Sequence, residues 1–396
     1  MKLKRLCLPI FSTAALGVVL FLPATNAGAQ PNFLVILGDD MGVETLGMYG
    51  YSQETASTPN LDALAKRGVR FERFWSQPVC SPTRATILTG RYGFRTGVLT
   101  PTGAPWPSDT IASPFKADNA PKEVYFTPAG PVDYEPGRPN SPAARAFSLP
   151  GPPPPGLRSD EVTLPQVLKS LPGSYQTAAF GKWHLADENN GGIDHPNLAG
   201  FDHFFGPPGG GPESFFAWRN VVDGQVLAEA GYVDSRSVED AIDWINGNDD
   251  EPWFVWFSFI NPHVPAHLPP TDLLHSDLAD LDPDGVTDDH TFPYFLAQIE
   301  AMDTLIGRLL DGIPDEDLDE TYVLFLGDNG TVEWVFPRAP VDRDRAKATL
   351  FNGGIHVPFI VSGPGIEGGR TESSLTNTTD LFATIIELAG GDVEVA

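Results

Sequence analysis

Cysteine is nearly absent from this chain of 396 residues: only Cys7 and Cys80 occur. Cys7 lies in the opening stretch "MKLKRLCLPIFSTAALGVVLFLPATNAGAQ". There Lys2, Lys4 and Arg5 precede an apolar run over residues 6–23, and Ala27-Gly28-Ala29 forms an A-x-A cleavage site. The pattern predicts a signal peptide over 1–29, a mature chain from Gln30, and export to the periplasm or beyond. Cys80 then stands alone and has no partner for an intrachain disulfide. Composition leaves two readings open: a small buried hydrophobe, or a reactive or modified residue.

Positive charge is also scarce. Lys and Arg number 25 against 52 Asp and Glu, a formal net charge of −27. That excludes a non-specific nucleic-acid binder, which needs a basic surface. An anionic substrate would have to be drawn in by local positive charge. Beyond residue 23 no apolar run is long enough to span a bilayer, so no stable membrane insertion is expected. Internal repeats are lacking as well.

What is present is a series of short apolar runs that end in chemically useful residues. "NFLVILGDD" ends in Asp39 and Asp40, and "TYVLFLGDNG" in Asp328 and Asn329. "TAAFGKWH" leads to Lys182 and His184, "WFVWFSFINPH" leads to His263, and "VPFIVSGPG" is a fifth run. Unbroken runs of this length read as strands buried on both faces, as in parallel sheets. Helical patterns lie between them. In "STPNLDALAKRG" Thr58 is the expected N-cap, Pro59 the first helical residue and Gly68 the stop. "SVEDAIDWING" and "YFLAQIEAMDTLIGRLLDG" also carry helical spacing. Alternating strands and helices predict an α/β fold, with ligands beyond the carboxyl ends of the strands. Residues 101–160, which include "LPGPPPPG", read as a long irregular insertion with little helix or strand, rimming the site.

If the first and fourth runs in chain order are neighbours, Asp39, Asp40, Asp328 and Asn329 form an all-oxygen cluster with three negative charges. Such a cluster suits Ca²⁺ or Mg²⁺ far better than Zn²⁺. "DLDPDGVTDDH" begins like a calcium loop at Asp280, Asp282 and Asp284. Its twelfth position is Thr291, where a bidentate Glu is needed, so a solvated acidic loop is expected instead. "CSPTRATILTG" reads as a helix with Ser81 as N-cap, Pro82 next and Gly90 as stop. Cys80 would then sit at a helix N-terminus, which favours anions, with Arg84 one turn on.

"CSPTR" also fits the C-x-P-x-R signature of the type I sulfatases, whose cysteine a separate enzyme oxidises to Cα-formylglycine. "PNFLVILGDDMG", "TPNLDALAKRGVRFERFW", "TAAFGKWHLA", "FINPHVPAHLPP", "LGDNG" and "KATLFNGGIHVPFIVSGPG" resemble the family's other blocks, in family order, over about residues 31 to 390. The resemblance implies the alkaline phosphatase-superfamily fold: a three-layer α/β/α sandwich around a large mixed, mostly parallel sheet, over residues 30–396. It implies hydrolysis of sulfate esters on small molecules or glycans. Asp39, Asp40, Asp328 and Asn329 would hold a divalent cation, usually Ca²⁺, with Cys80 also among its ligands. Arg84 and Lys182 would hold the hydrated aldehyde, and His184 would act as its base. His263 and Lys347 would bind sulfate and serve the leaving oxygen. One hydroxyl of the hydrate would attack sulfur and the second would expel sulfate. His356 departs from the family's frequent Arg. The chain stops at "LFATIIELAGGDVEVA", so the smaller C-terminal subdomain of relatives is expected to be absent or truncated. A phosphonate monoester or phosphodiester hydrolase on this scaffold, and a non-catalytic binder of sulfated glycans, stay open as alternatives.

Overall fold

The computed structural model describes residues 30–103, 105–106, 121–127, 130–133, 155–248, 251–287, 290–333, 335 and 345–394. The expected signal peptide and much of the 101–160 insertion lie outside them. The strands in chain order are β1 (Asn32–Gly38), β2 (Val69–Phe71), β3 (Phe74–Trp75), β4 (Val124–Thr127), β5 (Gly130–Asp133), β6 (Gln176–Gly181) and β7 (His203–Gly206). They continue with β8 (Ala217–Val222), β9 (Gln225–Ala230), β10 (Trp253–Ser258), β11 (Thr321–Gly327), β12 (Phe359–Ser362), β13 (Arg370–Glu372) and β14 (Thr376–Asn377). Ten of them form one sheet in the order β13-β2-β12-β11-β1-β10-β6-β7-β8-β9. Its centre, from β11 to β7, is wholly parallel.

Six helices cover the two faces: α1 (Pro59–Arg67), α2 (Cys80–Thr89), α3 (Leu164–Ser170), α4 (Val233–Asn246), α5 (Phe292–Asp311) and α6 (Asp380–Leu388). β1 shows why the sheet is buried on both sides. Leu34 and Ile36 pack with α1, α4 and α5, whereas Phe33, Val35 and Leu37 pack with α2, α3 and α6. Each such side chain, fully withdrawn from water, contributes about 1.5–3 kcal/mol. The result is the expected mixed, mostly parallel α/β/α sandwich. No helix of the described residues is long and apolar enough to cross a membrane.

Register places the site. β1 and β11 are direct neighbours, with Gly38 opposite Gly327. The chain leaves both strands at one level and delivers Asp39 beside Asp328. On the other side of β1, Leu37 faces Ser258 of β10, and Ser258 faces Gly181 of β6. Lys182 and the segment leading to His263 therefore emerge at the same end.

Two local readings change, and a third gains detail. The fifth apolar run, β12, is antiparallel to β11. Helix α2 starts at Cys80 with Val79 before it, so Ser81 is not its N-cap. Proline is tolerated in a first turn, where N–H groups lack intrahelical acceptors, so Pro82 fits this earlier start. The 101–160 insertion carries a small hairpin, β4 paired with β5.

Candidate active site

The strand ends gather a fully buried set of charges: Asp39, Asp40, Asp328, Arg84 and Lys182. Arg84 is its hub. Its Nη2 lies 2.9 Å from Asp328 Oδ2 and 3.4 Å from Asp39 Oδ2. Its Nη1 donates to the carbonyl of Lys182 at 2.7 Å and to the hydroxyl of Ser258. Lys182 pairs with Asp39, and Lys347 with Asp40. Asn329 Nδ2 donates to Asp40 Oδ1 at 2.8 Å, and the Asp40 N–H donates to Asp328 Oδ1 at 3.2 Å. Three carboxylates thus face three cations. Burial opposes the charge on Lys347, but Asp40, Asp39 and Asp328 outweigh it and raise its pKa. Burial and then Asp39 raise the Asp328 carboxyl, against Arg84.

This pocket fits a hard cation. Asp39 Oδ1, Asp40 Oδ2 and Asn329 Oδ1 are buried oxygens without a hydrogen-bond partner. Orphaned buried acceptors of this kind are costly, and oxygen donors of this kind are those Ca²⁺ prefers. Ligand atoms of Asp39, Asp40 and His263 lie within 4.8 Å of one another. Asp328, expected as a further ligand, already engages Arg84 and the Asp40 N–H.

Cys80 lies beside this cluster, within reach of the charges of Lys182, Lys347, Asp39 and Asp328. It is free and buried, with its Sγ 3.2 Å from His184 Nδ1. Its Sγ is not in the group of ligand atoms of Asp39, Asp40 and His263 that lie within 4.8 Å of one another. Burial raises its thiol pKa, and Lys182 and Lys347 oppose the rise. His184 turns its Nε2 to the carbonyl of Thr102 at 2.9 Å, so Nε2 carries the proton and Nδ1 presents a lone pair. Burial, then Lys182 and Arg84, hold the His184 pKa well below its ordinary value. Asp40 and His184 are non-glycine residues at φ 66° and 58°, a conformation that costs about 1–3 kcal/mol and clusters at functional sites.

His263 stands at the Asp40 side. Its Nε2 lies 3.8 Å from Asp40 Oδ2, while Nδ1 donates to the Val264 carbonyl. Burial and then Lys182 lower its pKa to about 3, so the ring is neutral. His356 points away from the carboxylates: it stacks on Trp75 and reaches the Glu72 carbonyl.

Several positioning residues carried no sequence signal. Ser81 donates to the carbonyl of His184 at 2.7 Å, and Thr102 Oγ1 donates to the same carbonyl at 3.0 Å. Asp234, buried on α4, accepts the N–H groups of Ile260 and Asn261 at 3.1 and 3.0 Å and so fixes the segment before His263. The carbonyl of Asn261 in turn accepts the N–H of Asp39 at 3.1 Å. The acidic stretch from Asp280 follows a short 3₁₀ turn over Asp277–Asp280, and in its described part Asp282 accepts the Asp284 N–H.

A family model described as Sulfatase matches residues 31–391. Among curated relatives, the chain is 28% identical to the N-acetylgalactosamine-6-sulfatase of Canis lupus familiaris, over 96% of this chain and 67% of that one. It is 27% identical to Arylsulfatase G of Mus musculus, over 92% of this chain and 66% of that one. The chain spans about two thirds of the length of these relatives. Among solved structures, Ps i-CgsB in complex with k-i-k-neocarrahexaose aligns with a TM-score of 0.68 at 23% identity, covering 92% of this chain and 73% of that one.

Proposed function

The chain belongs to the sulfatase family, and we propose that it hydrolyses sulfate esters, releasing sulfate and an alcohol or phenol. The observation that carries this reading is the meeting of Cys80 with the unprotonated Nδ1 of His184 beside a buried, charge-balanced cluster.

Asp39, Asp40, Asp328 and Asn329 would hold the cation, Ca²⁺ more readily than Mg²⁺, which supplies positive charge toward the sulfate oxygens. Cys80, converted to Cα-formylglycine by a separate maturation enzyme, would supply a geminal diol: one hydroxyl to attack sulfur, one to expel sulfate.

The chain's own residues do the rest. His184 takes a proton at Nδ1, because its other nitrogen is committed to Thr102. Arg84 and Lys182 hold the Asp39 and Asp328 carboxylates in place and offer charge beside position 80. His263 Nε2 and Lys347 Nζ, both on the Asp40 side, bind the sulfate head and serve the leaving oxygen. Without a cation the three carboxylates and three basic groups balance. A divalent cation makes the pocket positive, which suits a sulfate ester and draws it into an acidic protein.

The names of its relatives and the glycan bound to Ps i-CgsB favour a sulfated glycan as substrate. The amino-terminal stretch fits an exported enzyme. The test is turnover of 4-nitrophenyl sulfate and 4-nitrophenyl phosphate by protein co-expressed with a formylglycine-generating enzyme. Preference for the sulfate, lost in Cys80→Ala, supports the reading. Preference for the phosphate moves it to the phosphoester alternative. No turnover of any ester, with tight glycan binding, makes it a binding protein.

A further inference from the structure

A second pocket, of about 420 Å³, opens at the same end of the sheet as the cluster just described. Topology fixes that placement. β12 is antiparallel to β11 with Phe359 opposite Leu326, and β2 is antiparallel to β12 with Phe71 opposite Phe359. Residues just after β2 and just before β12 therefore share a level with Asp328, which follows β11. β2 lies two strands from β11, or ~10 Å at ordinary strand spacing. Trp75 leads into the segment that carries Cys80, and Lys347 leads into Asn352. The Ser76 N–H donates to the Ile355 carbonyl at 2.9 Å and ties the two segments together.

The lining is chemically specific. Trp75 and His356 stack with ring centres 5.1 Å apart, and Tyr51 stands edge-on to His356 at 5.7 Å with its other surface open to solvent. Arg70 lies over Tyr49 and 3.8 Å from Glu72, which also faces the pocket. Arg73 is exposed there, and its guanidinium makes no ion pair with any described residue. In a chain with twice as many acids as bases, an exposed arginine with no ion-pair partner among the described residues, beside aromatic rings and the amide of Asn352, is a selective arrangement. Aromatic faces take the apolar face of a sugar ring, and a free guanidinium takes a sulfate or carboxylate bidentately.

We propose that this pocket is a subsite for an acidic sugar unit next to the one being desulfated, so that the preferred substrate is a sulfated oligosaccharide with a second acidic group. The proposal rests on the sulfate-ester reading, and its test separates the two. Titration calorimetry of the wild type, Arg73→Ala and Arg73→Lys uses sulfated mono- and tetrasaccharides from chondroitin 6-sulfate and κ-carrageenan. Turnover of 4-nitrophenyl sulfate, too small to reach the pocket, runs in parallel. At least one tetrasaccharide should bind the wild type more tightly than its monosaccharide. Arg73→Ala should weaken that tetrasaccharide about tenfold, Arg73→Lys less, and both variants should keep aryl sulfate turnover. Tetrasaccharides that bind no better than monosaccharides, or equally well to Arg73→Ala, overturn the subsite. Failure of aryl sulfate turnover in the wild type would instead count against the sulfate-ester reading, and the binding ratio would still decide the pocket.

Discussion

The Nδ1 of His184 lies 3.2 Å from the Sγ of Cys80, and its Nε2 lies 2.9 Å from the carbonyl oxygen of Thr102. The ring is pinned from both ends, so its position is sensitive to the backbone over it. A Cβ added at Gly210 would come 2.9 Å from His184 Cε1. Gly210→Ala should displace the imidazole and lower kcat by up to about a hundredfold. KM and Tm should change little. Steady-state kinetics check this, and an unchanged kcat would mean that the ring position does not matter.

The orphaned oxygens of Asp39, Asp40 and Asn329 predict calcium-dependent stability. Ca²⁺ at a hundred times its Kd should stabilise the protein by about 2.7 kcal/mol. EGTA should lower Tm and abolish turnover, and Asn329→Ala should weaken the response. A Tm indifferent to Ca²⁺, Mg²⁺ and chelator would contradict the metal assignment.

Arg84 bonds two carboxylates, a carbonyl and a hydroxyl with no exposure to water. Removing it leaves buried carboxylates uncompensated. Arg84→Ala should cost about 3–5 kcal/mol in urea denaturation, as well as activity. A loss under 1 kcal/mol would argue that water reaches the cluster.

His195 contributes to the pH dependence of stability. It accepts from Trp183 Nε1 at 3.0 Å, donates to the Leu157 carbonyl at 2.7 Å, and burial lowers its pKa to about 4. The unfolded chain binds this proton near pH 6.5 and the folded chain only near 4. Stability is therefore full above 6.5 and falls as pH drops toward 4, by up to about 3 kcal/mol. The measurement is Tm against pH for the wild type and His195→Gln. The variant should lose less Tm across that window, and parallel curves would contradict the assignment.

The fold was legible where the sequence repeats a simple physical pattern. β1 and β11 are unbroken apolar runs closed by Gly-Asp, a pattern typical of strands buried on both faces in a parallel sheet. Their adjacency was an assumption that the register of Gly38 and Gly327 supports. Cys80, Arg84, Lys182 and His184 were legible through their motifs. Thr102, Gly210 and Asp234 were not, because they act through backbone groups or close approach across distant segments. Ser81 was misread for a related reason. Ser-Pro looks like a helix cap, but its hydroxyl is spent on the His184 carbonyl, and α2 starts one residue earlier.

The most direct test of the account is mass spectrometry of the tryptic peptide Phe74–Arg84, from protein exported by a host that makes the converting enzyme. The account predicts an aldehyde at position 80 that reacts with hydrazide reagents, and loss of sulfatase activity where it is missing. An intact thiol in folded protein that still releases sulfate would contradict it.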